Sequence, residues 1–252
     1  MIGSPLWLAL GLLTTLPVPV VAAPNEREIG VSVLLYPFVG AVIGLMLCGL
    51  ALVSHPWPGP LSAMLVLFLW LAITGGLHLE GLGDLADAWV GGIGRPERML
   101  EIMKDPRCGP AAVMAITMQL LFKFSAIQAL LQLNIPILLF FSPVLGRAVM
   151  LALMLSTPYL RPEGMASVLT RVVPREIGWF IIVMTGGLVM FMAKPLLLLA
   201  LGMTVAFFVV FRWMMLGRLG GITGDVLGAV CELSETVFLL SALLFASINS
   251  GG

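Results

Sequence analysis

TGGLHLEGLGDLADA, residues 74–88, places acids and glycines directly after a strongly apolar segment, residues 61–73. Its three carboxylates, Glu80, Asp84 and Asp87, are spaced by four and three residues, which puts them on one face of a helix. Stacked like charges repel each other and destabilise an isolated helix, so a positive partner is expected between them. Mg²⁺ is the economical partner, because it is commonly held by one or two carboxylates together with substrate phosphates.

A run of acids after a membrane segment is also typical of a solvated helix face or a helix start. The glycines between the acids argue against this simpler interpretation, because helix propensity disfavours glycine whereas close approach of another backbone requires it. These glycines are Gly75, Gly76, Gly81 and Gly83. We therefore interpret the stretch as a functional site. His78 is a weaker candidate within it, since a lone histidine is more often a structural residue.

The composition places the chain in a membrane. Of its 252 residues 60% are hydrophobic and 10% charged, whereas about a quarter of a soluble domain is charged. We predict an all-α, polytopic helical bundle of about seven or eight transmembrane or re-entrant helices, forming a single catalytic domain over residues 1–252. No basic or aromatic pattern favours nucleic-acid binding. The three cysteines, Cys48, Cys108 and Cys231, show no metal-ligand spacing.

Eight apolar segments are the candidate spans. They are residues 5–22, 30–53, 60–79, 110–133, 135–157, 177–193, 195–213 and 235–249. If successive spans alternate in direction, four polar loops share one side of the membrane. These loops are 23–29, 80–109, 158–176 and 214–234.

The loops on this side carry nearly all of the loop arginines and lysines, whereas the opposite side carries only Lys194. All thirteen Asp and Glu residues also lie in these loops or at the span edges beside them. The positive-inside rule makes this side cytoplasmic. We therefore expect a multi-pass protein of the bacterial inner membrane whose active site faces the cytoplasm, with both termini outside.

A second group of acids lies near the C-terminus, where GGITGDVLGA, residues 220–229, is followed by Glu232 and Glu235. Asp225 and Glu232 are seven residues apart, two helical turns, and therefore share a face. Near a membrane such acids usually point into the bundle or a water-filled cavity. Capping of the last helix is the simpler alternative for Glu235.

Arginines complete the pattern, because their planar fork of donors matches phosphate oxygens. Arg147 falls within an apolar run and must find a partner, either an acid or a phosphate, and Lys123 has the same status. Arg171 and Arg175 are more simply markers of topology. Acids for a hard cation and arginines for anions on one membrane face predict metal-assisted phosphoryl transfer.

The sequence resembles the cobalamin (5′-phosphate) synthase family, also called the adenosylcobinamide-GDP ribazoletransferases. The similarity runs in order along nearly the whole chain, over residues 13–19, 36–40, 74–88, 101–107, 158–164 and 220–235. Two positions depart from the family pattern. The family commonly has aspartate where this chain has Glu80, and often arginine where it has Thr15.

The resemblance implies a late step of coenzyme B12 biosynthesis. The ribose hydroxyl of α-ribazole, or of its 5′-phosphate, would attack the phosphorus next to the cobinamide arm of adenosylcobinamide-GDP, releasing GMP, with Mg²⁺ required. We expect no nucleic-acid partner, a lipid bilayer around the protein, and a homo-oligomer or a complex with other corrinoid enzymes.

Within this resemblance we infer three sets of residues. The candidate Mg²⁺ ligands are Glu80, Asp84, Asp87, Asp225 and Glu232. The catalytic candidates, among which one accepts the hydroxyl proton, are Asp84, Asp87 and His78. The candidate substrate-binding residues are Lys104, Arg107, Arg147, Arg161 and Thr223.

Two alternative functions stay open at this point. Another Mg²⁺-dependent membrane phosphoalcohol transferase, of the CDP-alcohol type, would use the same metal chemistry, but its paired-aspartate motif is not matched. A transporter of a corrinoid or another anion would set charges near the bilayer midplane and show repeated halves. The sequence shows no repeat.

Overall fold

The computed structural model describes residues 3–162, 165–192 and 195–250. Within these ranges it is helical, with a single isolated β-bridge between Tyr159 and Ile222. The helices are α1 (Gly3–Leu13), α2 (Glu26–Leu34), α3 (Tyr36–Val53), α4 (Gly59–Thr74), α5 (Leu77–Gly91), α6 (Pro96–Ile102), α7 (Pro110–Gln132), α8 (Leu138–Ser156), α9 (Met165–Val172), α10 (Arg175–Phe191), α11 (Pro195–Arg218) and α12 (Gly224–Ser250). The predicted all-α membrane bundle is confirmed. Lys194 lies outside the described residues.

Five helices in the described ranges are long and apolar enough to cross a membrane, namely α3, α7, α8, α11 and α12. The count rises to seven when each of two bent pairs, α4–α5 and α9–α10, is taken as one span. The first of our eight segments, residues 5–22, is wrong as a full span, because α1 ends at Leu13 after 11 residues. Pro17 and Pro19 follow, and proline does not continue a helix. The expectation that both termini lie outside required eight spans, so the count of five to seven no longer supports it.

The decisive corner lies between α4 and α5, which are bent by 87°. Gly75 and Gly76 form it with φ angles of 62° and 72°, a left-handed conformation that costs other residues energy. Helix α5 then carries the three acids of the first stretch, so the predicted helix is confirmed. It is not among the five helices that are each long and apolar enough to cross a membrane.

Helix α12 begins at Gly224, so the predicted loop over residues 214–234 is wrong. Glu232 and Glu235 lie inside this membrane-crossing helix and are 3% and 0% exposed. The expected confinement of acids to loops and span edges therefore fails for these two residues. They find partners inside the bundle, as described below.

Helices α3 and α8 pack closely along a ridge of small residues. A Cβ atom on Gly40 would lie 2.4 Å from the carbonyl oxygen of Pro143, and one on Gly44 would lie 2.5 Å from that of Phe140. Small residues spaced by four let membrane helices approach in this way. The predicted packing role of Gly40 and Gly44 is confirmed.

We expect Gly44→Val to lower the free energy of unfolding by about 1–3 kcal/mol, because the new side chain meets backbone atoms that cannot move aside cheaply. Thermal unfolding in detergent measures the effect. Gly49→Val on the same helix is the matched control, since no atom lies within 4 Å of the position where its Cβ would be. Equal losses in both variants would contradict the packing role.

Candidate active site

The two acidic stretches meet because α5 and α12 cross in direct contact. A Cβ atom on Gly81 would lie 2.7 Å from the carbonyl oxygen of Asp225, and one on Gly228 would lie 3.1 Å from backbone atoms of His78. Only residues without a side chain allow this distance. The glycines therefore serve close backbone approach, as predicted, and they bring the acids of α5 to Asp225.

A short bridge places a cation at the same point. The N–H of Leu160 donates to the carbonyl of Ile222, and the N–H of Ile222 donates to that of Pro158, each at 2.9 Å. This joins the loop after α8 to the loop before α12. Arg161 consequently lies beside Asp225, with 2.8 Å between Nη2 and Oδ2.

Glu80, Asp84 and Asp225 line one polar cavity of about 380 Å³, which we call the acidic chamber. Its other walls come from α5, α7 and the segment between α6 and α7. They consist of Gly83, Met103, Lys104, Asp105, Pro106, Cys108, Ala112 and Ile116. The chamber thus combines four carboxylates, of which Asp105 pairs with Arg107, with the ammonium group of Lys104, suited to an anion.

The neighbouring carboxylates repel one another. Burial, with repulsion from Asp225, Glu80 and Asp87, raises the pKa of Asp84 from 3.8 to about 6, and Arg161 opposes this rise. A bound cation would relieve the repulsion. Carboxylate oxygens are also the donors that Mg²⁺ prefers.

Within the described ranges, no group of three or more His, Cys, Asp or Glu side chains is arranged to hold a metal ion. Mg²⁺ usually takes one or two carboxylates and completes its coordination with water and substrate phosphates. The residues of the acidic chamber therefore fit an ion shared with a phosphorylated substrate.

Asp87 does not line the acidic chamber, and its carboxylate caps a helix instead. Its carboxylate accepts the N–H groups of Gly109, at 2.6 Å, and Ala112, at 2.9 Å. These groups belong to the start of α7, where free N–H groups and the helix dipole favour a negative charge. The structure gives Asp87 a capping position and does not place it in the chamber wall, so its predicted metal and catalytic roles gain no support.

We expect Asp87→Ala to lower the free energy of unfolding by about 1–2 kcal/mol, the usual cost of a lost helix cap. Thermal unfolding in detergent is the measurement, and Glu101→Ala, exposed near the end of α6, is the control, which should change the free energy of unfolding by less than about 0.5 kcal/mol. An unchanged melting temperature with complete loss of transfer activity would instead return Asp87 to the chemistry.

The structure separates two of the predicted substrate-binding residues from the chamber wall. Arg107 is exposed and donates from Nε to Asp105 Oδ1 at 2.9 Å, a contact that lowers the pKa of Asp105 to about 2. Thr223 is fully buried. Its hydroxyl lies 3.3 Å from Asp225 Oδ2 and accepts the N–H of Val226 at 3.4 Å, so it caps α12 and positions Asp225.

Inside the bundle, four charged side chains form a network that we call the buried charge network. Lys123 Nζ lies 2.6 Å from Glu232 Oε2 and 2.5 Å from Glu235 Oε2, and Arg147 pairs with Glu235. Lys123 also lies over the ring of Trp70, 4.2 Å from its centroid. All four charged side chains are at most 4% exposed. Two cations and two anions balance, as buried charges in a membrane require.

The buried charge network holds two residues that were predicted for the site. Glu232 follows Asp225 by seven residues, so it lies about 10 Å further along the same helix face, where Gln119 and Lys123 hold its carboxylate. Arg147 has taken an acid as its partner, the first of its two predicted choices. The structure does not bring Glu232 or Arg147 into the acidic chamber.

His78 lies between the two groups of charges and is 3% exposed. Its Nδ1 is 3.5 Å from Nη2 of Arg147. Burial and the neighbouring guanidinium together lower the pKa of His78 to about 3. The imidazole is therefore neutral and a weak base, which disfavours the predicted role as proton acceptor.

Sequence reasoning missed the buried charge network, although its signal was present. Lys123 and Arg147 are lone cations within apolar runs, and Glu232 and Glu235 are spaced as neighbours on one helix face. Two cations in spans need two anions at the same depth. Charge balance would have indicated this pairing.

A family model described as cobalamin-5-phosphate synthase matches residues 5–244. Curated relatives named adenosylcobinamide-GDP ribazoletransferase include one from Stutzerimonas stutzeri, 46% identical over 242 residues, covering 95% of this chain and 98% of the relative. One from Pseudomonas putida is 43% identical over 240 residues, with 95% and 98% covered. One from Pseudomonas paraeruginosa is 46% identical over 240 residues, with 95% and 97% covered. No solved structure matches.

Proposed function

This chain belongs to the cobalamin-5-phosphate synthase family, and we propose that the acidic chamber is where it carries out the ribazoletransferase reaction. The chain is a membrane transferase of cobalamin biosynthesis. One observation supports this choice of active site. Carboxylates from two stretches about 140 residues apart in the sequence meet in one chamber beside two cations, Lys104 and Arg161. Family membership sets aside the CDP-alcohol transferase and the transporter.

In the proposed reaction, a ribose hydroxyl of α-ribazole, or of its 5′-phosphate, attacks the phosphorus that bears the cobinamide arm. The new O–P bond forms while the bond from this phosphorus to the phosphate oxygen of GMP breaks. GMP leaves with the electron pair, and the hydroxyl proton passes to a carboxylate. Asp84 is our candidate acceptor, because it lines the same chamber as the carboxylates that we assign to Mg²⁺.

Glu80 and Asp225 are our candidates to hold Mg²⁺, which when bound would neutralise charge on the transferring phosphate. Lys104 lines the chamber and would contact the diphosphate. Arg161 supports this assignment, since its Nε is buried and has no hydrogen-bond partner among the described residues. A phosphate oxygen would satisfy this donor.

We test the function by giving detergent-purified protein adenosylcobinamide-GDP and α-ribazole, with and without Mg²⁺. We expect the protein to release GMP and to form a corrinoid that bears the lower ligand, and we expect both products only when Mg²⁺ is present. Parallel assays with α-ribazole 5′-phosphate identify the preferred acceptor. Absence of GMP from well-folded protein with every divalent metal would overturn the proposal.

We further propose that the chamber faces the cytoplasm of the bacterial inner membrane. The support is the positive charge beside it, since Arg95, Arg98, Lys104 and Arg107 lie between α5 and α7 and such clusters mark the cytoplasmic side. A homo-oligomer or a complex with other corrinoid enzymes stays a prediction.

Cys108 offers a direct test of this orientation. It is exposed and lines the chamber, whereas Cys48 is half-buried and Cys231 is buried. A membrane-impermeant maleimide should label the protein in inverted vesicles and not in spheroplasts. Cys108→Ser should remove the label. Labelling in intact spheroplasts would contradict the cytoplasmic orientation.

A further inference from the structure

We infer that a second cavity, next to the acidic chamber, binds the flat base of the acceptor nucleoside. This apolar cavity has a volume of about 280 Å³ and lies among α1, α3, α5, α8, α9 and α12. It adjoins the acidic chamber, because Glu80 and Asp225 line both. The inference rests on the proposed function, in which α-ribazole is the acceptor.

Its size limits the occupant. Ligand pockets usually measure about 300–1,000 Å³, so this cavity accepts one small group and not a corrin ring with its side chains. The two substrates contain two groups of suitable size, namely the guanine of the donor and the base of the acceptor. The polarity of the cavity walls distinguishes between these two groups.

The lining favours the base of ribazole. Just over half of it is aliphatic or methionine side chains, among them Leu13 and Met154. The ionisable groups, His78, Glu80 and Asp225, belong to α5 and α12 on the side of the acidic chamber. Guanine carries several donors and acceptors, which would lose their hydrogen bonds to water at such walls, at a cost in free energy. The base of ribazole is a fused aromatic ring with methyl groups and a single free ring nitrogen, which accepts one hydrogen bond.

Tyr36 supplies a donor for such a nitrogen. It lines the cavity and is 2% exposed. Its phenolic hydroxyl can donate one hydrogen bond. A ring nitrogen in the cavity would accept it.

This placement also orders the reaction. With its base among the apolar walls, the nucleoside has its ribose at the carboxylates shared with the acidic chamber, and the donor phosphates lie in that chamber. The ribose hydroxyl can then attack the phosphorus from the side opposite the departing GMP, as in-line displacement requires. Neither substrate has to cross the site of the other.

Filling the cavity from α9 gives the first test. Ala166→Trp should raise the KM for α-ribazole by at least about tenfold, the scale of an excluded apolar group, and leave the KM for adenosylcobinamide-GDP within about twofold. Val168→Trp is the matched control, since Val168 belongs to the same helix and does not line the cavity. Equal changes in both variants would overturn the inference.

Tyr36→Phe gives the second test without changing the volume. It should raise the KM for α-ribazole about threefold to tenfold, the equivalent of one hydrogen bond. With an acceptor whose free ring nitrogen is replaced by C–H, wild type and variant should have the same KM. A merely structural effect of Tyr36 would instead raise the KM for both acceptors.

Failure of the inference can be told apart from failure of the function. Active wild type with an unchanged acceptor KM in Ala166→Trp and Tyr36→Phe would overturn the inference alone. If wild type releases no GMP, the proposed function fails. Equilibrium dialysis with α-ribazole alone then compares the same variants without turnover, and equal binding by all of them overturns the inference as well.

Discussion

Asp84→Asn and Asp225→Asn should each lower kcat for GMP release by about 10²–10⁴-fold, the range for losing a catalytic proton acceptor or charge-stabilising group. Each substitution keeps the shape of the side chain and removes its negative charge, so the protein should stay folded. Asp84 is our candidate proton acceptor, and Asp225 joins the second acidic stretch to the first. The measurement is steady-state GMP release with both substrates saturating.

Glu101→Gln is the control for this pair of variants. Glu101 lies on α6, is exposed and pairs with Arg98 of the same helix, so the rate should not change. Melting temperatures in detergent show that all three variants fold. Rates like that of the control in both Asp variants would exclude the acidic chamber as the active site.

Lys123→Met should produce the largest loss of stability, about 3–5 kcal/mol. It leaves the carboxylates of Glu232 and Glu235 inside the membrane with Arg147 as the one remaining cation of the buried charge network. Methionine has nearly the same length, so the effect reports charge and not volume. Thermal unfolding in detergent, supported by resistance to proteolysis, measures it.

A second substitution should restore much of this loss. In Lys123→Met/Glu232→Gln the remaining pair, Arg147 and Glu235, is neutral overall, so removing both partners costs less than removing one. Lys104→Met, on the exposed segment after α6, is the control for removing a lysine. A double variant no more stable than Lys123→Met would contradict the idea that charge balance holds this region together.

The parts of the site that depend on local sequence could be predicted. Helical spacing placed Glu80 and Asp84 on one face, and the low helix propensity of glycine indicated that Gly81 serves close backbone approach. Each of these inferences uses residues that are neighbours in the sequence.

The parts that depend on contacts between distant helices could not be predicted in the same way. Spacing alone assigned Asp87 to the metal, because nothing in residues 74–88 shows that the first turn of α7 occupies its carboxylate. Likewise, hydropathy placed the start of the last span at Glu235, 11 residues after the first residue of α12, since acids lower the apolar average. Lys123 and Arg147 neutralise that penalty only in the folded bundle.

The central claim is that both acidic stretches form one Mg²⁺-dependent site, and a Mg²⁺ titration of GMP release tests it most directly. The rates of wild type, Glu80→Gln, Asp225→Asn and the double variant are compared as a double-mutant cycle. If both carboxylates hold one ion, each single variant raises the Mg²⁺ concentration for half-maximal rate, and the double variant is little worse than the poorer single variant. Independent, additive effects, or a rate that does not depend on Mg²⁺, would contradict the account.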